Sequence, residues 1–126
     1  MTDKKKILCV DDESSILKSL ERLLFVANYE VFKANSGSDG LKVLEMHNGQ
    51  IDLILIDQRM PQMTGDQFLG FVRERYGKVP SIMLSGYADF ESLNRIINNG
   101  EIYKFVSKPW DNDELLTLIK AAIASR

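Results

Sequence analysis

Three short aliphatic runs in this sequence each end in a polar residue, and that recurrence limits the folds open to the chain. Leu53-Ile54-Leu55-Ile56 runs into Asp57, Ile7-Leu8-Cys9-Val10 into Asp11-Asp12, and Ser81-Ile82-Met83-Leu84 into Ser85. A further segment, Ile102 to Val106, runs into Ser107-Lys108-Pro109. Aliphatic runs of this kind read as strands buried on both faces. A carboxylate at the end of such a strand is costly unless something compensates its charge. In an open α/β sheet the carboxyl ends of parallel strands share one edge, where ligands bind. Three carboxylates, a hydroxyl and an amine would meet there, a set suited to a divalent cation and a phosphoryl group.

Between the runs the periodicity changes. Ile16, Leu17, Leu20, Leu23 and Leu24 form a helical stripe after the first strand, about residues 6–10. Tyr29 to Lys33 reads as a short second strand with polar members. Ser36-Gly37-Ser38-Asp39 resembles a capping box with Asp in place of Glu, and Thr64-Gly65-Asp66-Gln67 is a full one, so a helix opens at each. A fourth strand is expected over about 80–84. Asp89 would cap a fourth helix holding Leu93, Ile96 and Ile97, stopped by Asn99-Gly100. A fifth strand is expected over about 102–106, and Asp111-Asn112-Asp113-Glu114 caps a last helix carrying Leu115, Leu116, Leu118, Ile119 and Ile123.

Five strands alternating with five helices predict an α/β fold: a parallel sheet covered on both faces, a doubly wound (βα)5 sandwich. The most apolar strands, one, three and four, belong in the centre. Glu30, Lys33 and Lys104 suit exposed edges. The flavodoxin-like order 2-1-3-4-5 satisfies both conditions.

The 126 residues fit one domain, residues 1–126, with no internal repeat or linker. The net charge of -2 argues against a basic nucleic-acid-binding face. The single cysteine, Cys9, cannot form an internal disulfide and points to a reducing, cytoplasmic setting. No apolar run approaches membrane-spanning length, and the start lacks a signal-peptide core.

Each polar residue has an ordinary reading. Asp11-Asp12 could cap the first helix, Asp57 could begin a turn, Ser85-Gly86 is turn-like, and Lys108 could be a surface lysine. Two adjacent acids cannot both cap comfortably. All four features fall at strand ends and none at strand starts, which favours a shared site. His47 reads as a surface residue at the end of the second helix, Cys9 as a small core residue, and Trp110 as packing over the neighbouring loop. Met60 and Met63 read as a cover for the end of strand three.

The set Asp11-Asp12, Asp57 before Met60-Pro61, Ser85-Gly86 and Lys108-Pro109 resembles the receiver domain of two-component response regulators, the chemotaxis-regulator-like family. The resemblance spans essentially the whole chain. It implies a signalling switch in which Asp57 accepts a phosphoryl group from a sensor histidine kinase or a phosphotransfer protein. It also implies that Asp12, Asp57 and the backbone carbonyl of Arg59 ligate Mg²⁺ (or Mn²⁺), with Asp11 acting mainly through water. By the same resemblance Ser85 and Lys108 hold the phosphoryl group, and the bond between Lys108 and Pro109 is cis. Arg59 and Tyr87, two residues beyond Asp57 and Ser85, would shape access to the phosphate.

Phe105 would be the aromatic residue that changes rotamer when Ser85 moves. It lacks the hydroxyl of the tyrosine often found there, so a weakened or purely packing-based switch is expected. The fourth helix, fifth strand and fifth helix, with Ile96, Tyr103 and Lys104, would carry the signal to an output domain or downstream protein, or form a homodimer. Such a domain catalyses its own modification and turns over no separate substrate. A phosphohydrolase of the haloacid-dehalogenase kind needs an acid two residues after the nucleophile, where Asp57-Gln58-Arg59 has none. An interaction module that is never phosphorylated would have lost a site acid or the lysine, and none is lost. The run Ser85-Gly86-Tyr87-Ala88-Asp89, with Gly100-Glu101-Ile102-Tyr103-Lys104-Phe105, looks like receivers within larger signalling proteins. The chain is therefore expected to be the N-terminal part of one, or else a stand-alone regulator.

Overall fold

The computed structural model describes residues 4–86 and 102–125. The strands are β1 (Lys6–Val10), β2 (Glu30–Ala34), β3 (Leu53–Asp57), β4 (Ser81–Ser85) and β5 (Lys104–Ser107). The helices are α1 (Ser14–Val26), α2 (Gly37–Met46), α3 (Gly65–Tyr76) and a final helix, Asn112–Ala124. The fourth helix expected from Asp89 onward, with Leu93, Ile96 and Ile97, lies outside the described residues, as does Tyr87.

All neighbouring strands pair in parallel, in the order β2-β1-β3-β4-β5. The apolar runs take the centre because both faces of those strands are covered. Alternation then divides their side chains between two cores. Ile7, Cys9, Leu53, Leu55, Ile82 and Leu84 pack under α1 and the final helix. Leu8, Val10, Ile54, Ile56 and Met83 pack under α2 and α3, against Leu44, Phe68 and Val72. The edge strands keep their charges in solvent: Glu30, Lys33 and Lys104 are exposed, and Lys33 pairs with Glu21 at 3.0 Å.

Helix starts follow the capping signals. Ser36 Oγ accepts from the Asp39 N–H at 3.1 Å, and Asp111 Oδ1 from the Glu114 N–H at 3.0 Å. At α3, Gln67 Oε1 accepts from the Thr64 N–H at 3.0 Å, the reciprocal half of the capping box. The first helix departs from expectation. Glu13 is its N-cap residue, with no side-chain cap bond, and Asp11 Oδ1 instead accepts from the Glu13 N–H at 2.9 Å. Two strand limits shift slightly. β2 begins at Glu30 rather than Tyr29, and β5 at Lys104 rather than Ile102. Ile102 is nevertheless buried, and the Tyr103 N–H donates to the Ser81 carbonyl at 2.7 Å, so burial begins before ladder pairing does.

Two glycines of α3 have opposite surroundings. A Cβ on Gly65 would lie 2.5 Å from the Asp57 carbonyl oxygen and 3.0 Å from Gln58 Cα, both backbone atoms. A Cβ on Gly70 would meet nothing within 4 Å. Gly65→Ala is therefore expected to cost about 1–3 kcal/mol through overpacking. Gly70→Ala is expected to add about 1 kcal/mol through helix propensity. Urea unfolding of both variants checks the contrast; equal effects of the same sign would refute it.

Candidate functional site

Strand register brings the polar strand ends together. Val10 lies opposite Ile56, which places Asp11 beside Asp57 just past the ends of β1 and β3. Asp57 lies opposite Leu84, and Ser85 opposite Ser107, so the hydroxyl residue and the Ser107-Lys108 turn share the same edge. The Lys108 N–H donates to the Ser85 carbonyl at 2.9 Å, and the Lys108–Pro109 peptide is cis.

The side chain of Lys108 closes the group. Its Nζ donates to Asp11 Oδ2 at 2.8 Å and to Asp57 Oδ1 at 3.1 Å. Asp11 is 2% exposed and Asp57 6%, so these are desolvated carboxylates, while Asp12 faces solvent. One carboxylate oxygen from each of Asp11, Asp12 and Asp57 lies within 4.8 Å of the others. Hard oxygen donors at that spacing fit a divalent cation of the Mg²⁺ type. The electrostatics fit it as well. Burial pushes the Asp57 carboxyl up to about 6, and the Asp11 charge adds to the shift; Lys108 opposes it, and Asp12 adds a smaller push. For Lys108, burial works against the charged form, but the hydrogen bond to Asp11 and the charges of Asp11 and Asp57 outweigh it and raise its pKa.

Ser85 is fully buried at the end of β4, and Arg59 is exposed. Phe105 is half-buried against the α2–α3 core, opposite Met83. His47 is also half-buried rather than a surface residue: its ring lies 4.3 Å from that of Phe32, and it has no part in the acidic group. Cys9 is buried, and burial drives its thiol pKa strongly upward. Trp110 packs against the α1 side of the core and donates from Nε1 to Asn112 Oδ1 at 2.9 Å.

Sequence reasoning passed over Gln58. It is only 8% exposed, and both ends of its amide are engaged with Asp66. Nothing in a single glutamine after Asp57 signals this, because its partner lies eight residues away across a turn.

The sequence matches the family described as the response regulator receiver domain over residues 7–120. It is 35% identical over its whole length to the hydrogenase transcriptional regulatory protein HoxA of Cupriavidus necator, of which it covers 26%. The chain thus spans about a quarter of that relative's length. Among solved structures, a response regulator receiver domain from Clostridium thermocellum superposes with a TM-score of 0.90 at 29% identity, covering 96% of this chain and 95% of that one. The signal receiver domain of an HD domain-containing protein from Pseudomonas fluorescens superposes with a TM-score of 0.88 at 32% identity, covering 98% and 97%.

The raised pKa of Asp57 has a consequence for stability. Between the unfolded value near 3.8 and the folded value of about 6, the folded protein holds a proton that the unfolded chain releases. This group's contribution is thus fully present below the window and lost as pH rises through it. Without metal, Asp57→Asn is expected to melt above wild type at neutral pH and to converge on it near pH 4. Thermal melts across pH test this; a constant difference at every pH would refute it.

Proposed function

The chain belongs to the response regulator receiver domain family, and from that premise we propose that it is a phosphorylation-dependent switch with Asp57 as phosphoacceptor. Receiver domains of this family phosphorylate and dephosphorylate themselves rather than acting on a separate substrate. The observation that carries the reading is the Lys108 bridge between two buried carboxylates with a third, solvent-facing carboxylate beside them.

In this reading an Asp57 carboxylate oxygen attacks the phosphorus of a histidine-borne phosphoryl group. The O–P bond forms as the P–N bond breaks, and water later attacks the same phosphorus to release phosphate. The demand is for alignment and charge neutralisation more than covalent help. Asp12, Asp57 and the Arg59 carbonyl would hold Mg²⁺, with Asp11 reaching it through water. Bound there, Mg²⁺ would offset the repulsion between the acids and an incoming phosphate. Lys108 supplies a compact positive charge from the β5 side. In this reading Ser85, buried at the end of β4, would donate its hydroxyl to a phosphoryl oxygen, and Arg59 and Tyr87 would govern access.

Phosphotransfer partners are a sensor histidine kinase or phosphotransfer protein. The output is a further domain or a downstream protein, reached through a face that includes the exposed Tyr103 and Lys104 and, by the family resemblance, Ile96, and that would also serve for dimerisation. A further domain in the same protein is compatible with the length of the transcriptional regulatory protein HoxA, of which the chain covers 26%. A lone buried cysteine fits a reducing compartment, and we place the domain in the cytoplasm. No helix among the described residues is long and apolar enough to cross a membrane.

Acetyl phosphate with Mg²⁺ is expected to add one phosphoryl group, and Asp57→Asn to block it, as read by intact mass. Mg²⁺ at ten times its dissociation constant should add about 1.4 kcal/mol of stability, a gain that Asp12→Ala should largely remove. Label on Ser85 or His47, or a melting midpoint indifferent to Mg²⁺, would overturn the reading.

Phe105 is half-buried against the α2–α3 core, and in this reading its ring would follow a movement of Ser85. Phe105→Ala is expected to leave phosphorylation nearly intact while weakening the phosphorylation-dependent change in partner affinity or dimerisation. Undiminished coupling in the variant would make Phe105 a core residue only.

A further inference from the structure

The loop between β3 and α3 leaves Asp57 and returns to the sheet edge at Gly65. Its base is tied by side-chain and backbone contacts together. Gln58 Nε2 donates to Asp66 Oδ1 at 2.8 Å, and Gln58 Oε1 accepts from the Asp66 N–H at 2.9 Å. The Gly65 N–H donates to the Gln58 carbonyl at 3.0 Å. Thr64 Oγ1 donates to the same Asp66 Oδ1 at 2.6 Å. The Asp66 N–H belongs to the first turn of α3, where backbone donors lack intrahelical partners. A primary amide can accept from that N–H through its oxygen and donate to that carboxylate through its nitrogen at once.

We propose that Gln58 is a positioning residue of the phosphotransfer site, fixing the turn that carries the Arg59 carbonyl for a divalent cation. The inference rests on the receiver reading above, which makes that carbonyl a ligand. The geometry supplies the rest. Gln58 is the residue between the phosphoacceptor and the carbonyl ligand, it is buried, and its side chain is anchored at both ends. Gly65 has no room for a Cβ against the Asp57 carbonyl, so the helix start sits directly on the strand end. Met63 closes the far side of the loop by lying where a Cβ on Gly37 of α2 would be. A loop held in this way presents its carbonyl without first having to be ordered by the ion. Outer groups that orient metal ligands commonly govern affinity by about ten- to a hundredfold.

The test compares Gln58→Met, which keeps the bulk and loses both amide contacts, with Asp66→Asn, which keeps an oxygen for Gln58 Nε2 and the backbone N–H for Oε1. Mg²⁺ affinity is read by calorimetry on each protein, with metal-free melting and acetyl phosphate labelling alongside. Gln58→Met is expected to bind Mg²⁺ about tenfold more weakly or worse. Its labelling should slow at subsaturating Mg²⁺ and recover at saturation, because Asp57, Ser85 and Lys108 are untouched. Asp66→Asn should keep wild-type Mg²⁺ affinity and labelling, with at most some loss of metal-free stability, since, against burial, hydrogen bonds hold the Asp66 carboxyl below its ordinary range. Should Gln58→Met not fold, Asp66→Ala loosens the same clamp from the other end and is expected to weaken Mg²⁺ binding. Lower metal-free stability of Gln58→Met with wild-type Mg²⁺ affinity would overturn the proposal and leave Gln58 a structural residue. Absence of Mg²⁺ binding and labelling in the wild type would instead overturn the receiver reading on which it stands.

Discussion

The ammonium group of Lys108 is the interaction on which the functional edge depends. Asp11 and Asp57 are both nearly removed from water, and burial without a partner is heavily penalised for an ionised carboxylate. Lys108 reaches each within hydrogen-bonding distance and so permits two negative charges at one sheet edge. The compensation is incomplete, since Asp57 still sits well above its ordinary carboxyl range. The remaining imbalance is what a divalent cation would cancel. The same shortage of positive charge that burdens the folded edge is what makes its carboxylates suited to a doubly positive ion.

The division of the core by the sheet keeps this arrangement rigid. α1 and the final helix cover one face, α2 and α3 the other, and each central strand alternates its side chains between them. A shift of one residue in register would exchange the two sets and misplace Asp11 relative to Asp57. The site's geometry is thus a by-product of hydrophobic alternation. The loops add only the last adjustments, among them the amide of Gln58 and the tight start of α3.

Much of this was legible in the sequence because burial on both faces leaves so direct a trace. The runs ending at Val10, Asp57 and Leu84 became central strands, and the charged Glu30, Lys33 and Lys104 marked the edges. Register then made the acids, Ser85 and Lys108 converge as the strand ends implied. The misses have a common cause, which is that they depend on closure in space. Ile102 reads as strand because it is buried, yet ladder pairing begins at Lys104. Asp11 looks like a helix cap, yet it holds the Glu13 N–H from below the helix start and gives its other oxygen to Lys108. His47 looked solvated until β2 brought Phe32 beneath its ring. Gln58 drew notice only as a residue that is not an acid; its role emerges once the turn delivers Asp66 to its side.

The bond between Lys108 and Asp11 joins residues 97 positions apart. Such distant closure carries an entropic cost that grows with the length of chain between its ends. As the chain is synthesised, Asp11 and Asp57 emerge and acquire their strands while the residue that balances them is still to come. Without Lys108 the sheet edge would hold two buried acids and no partner cation. Only when β5 docks does the edge become electrically tolerable. The edge pairing of β5 with β4 and the ion bridge thus belong to one closure, because the strand that completes the sheet also delivers Lys108.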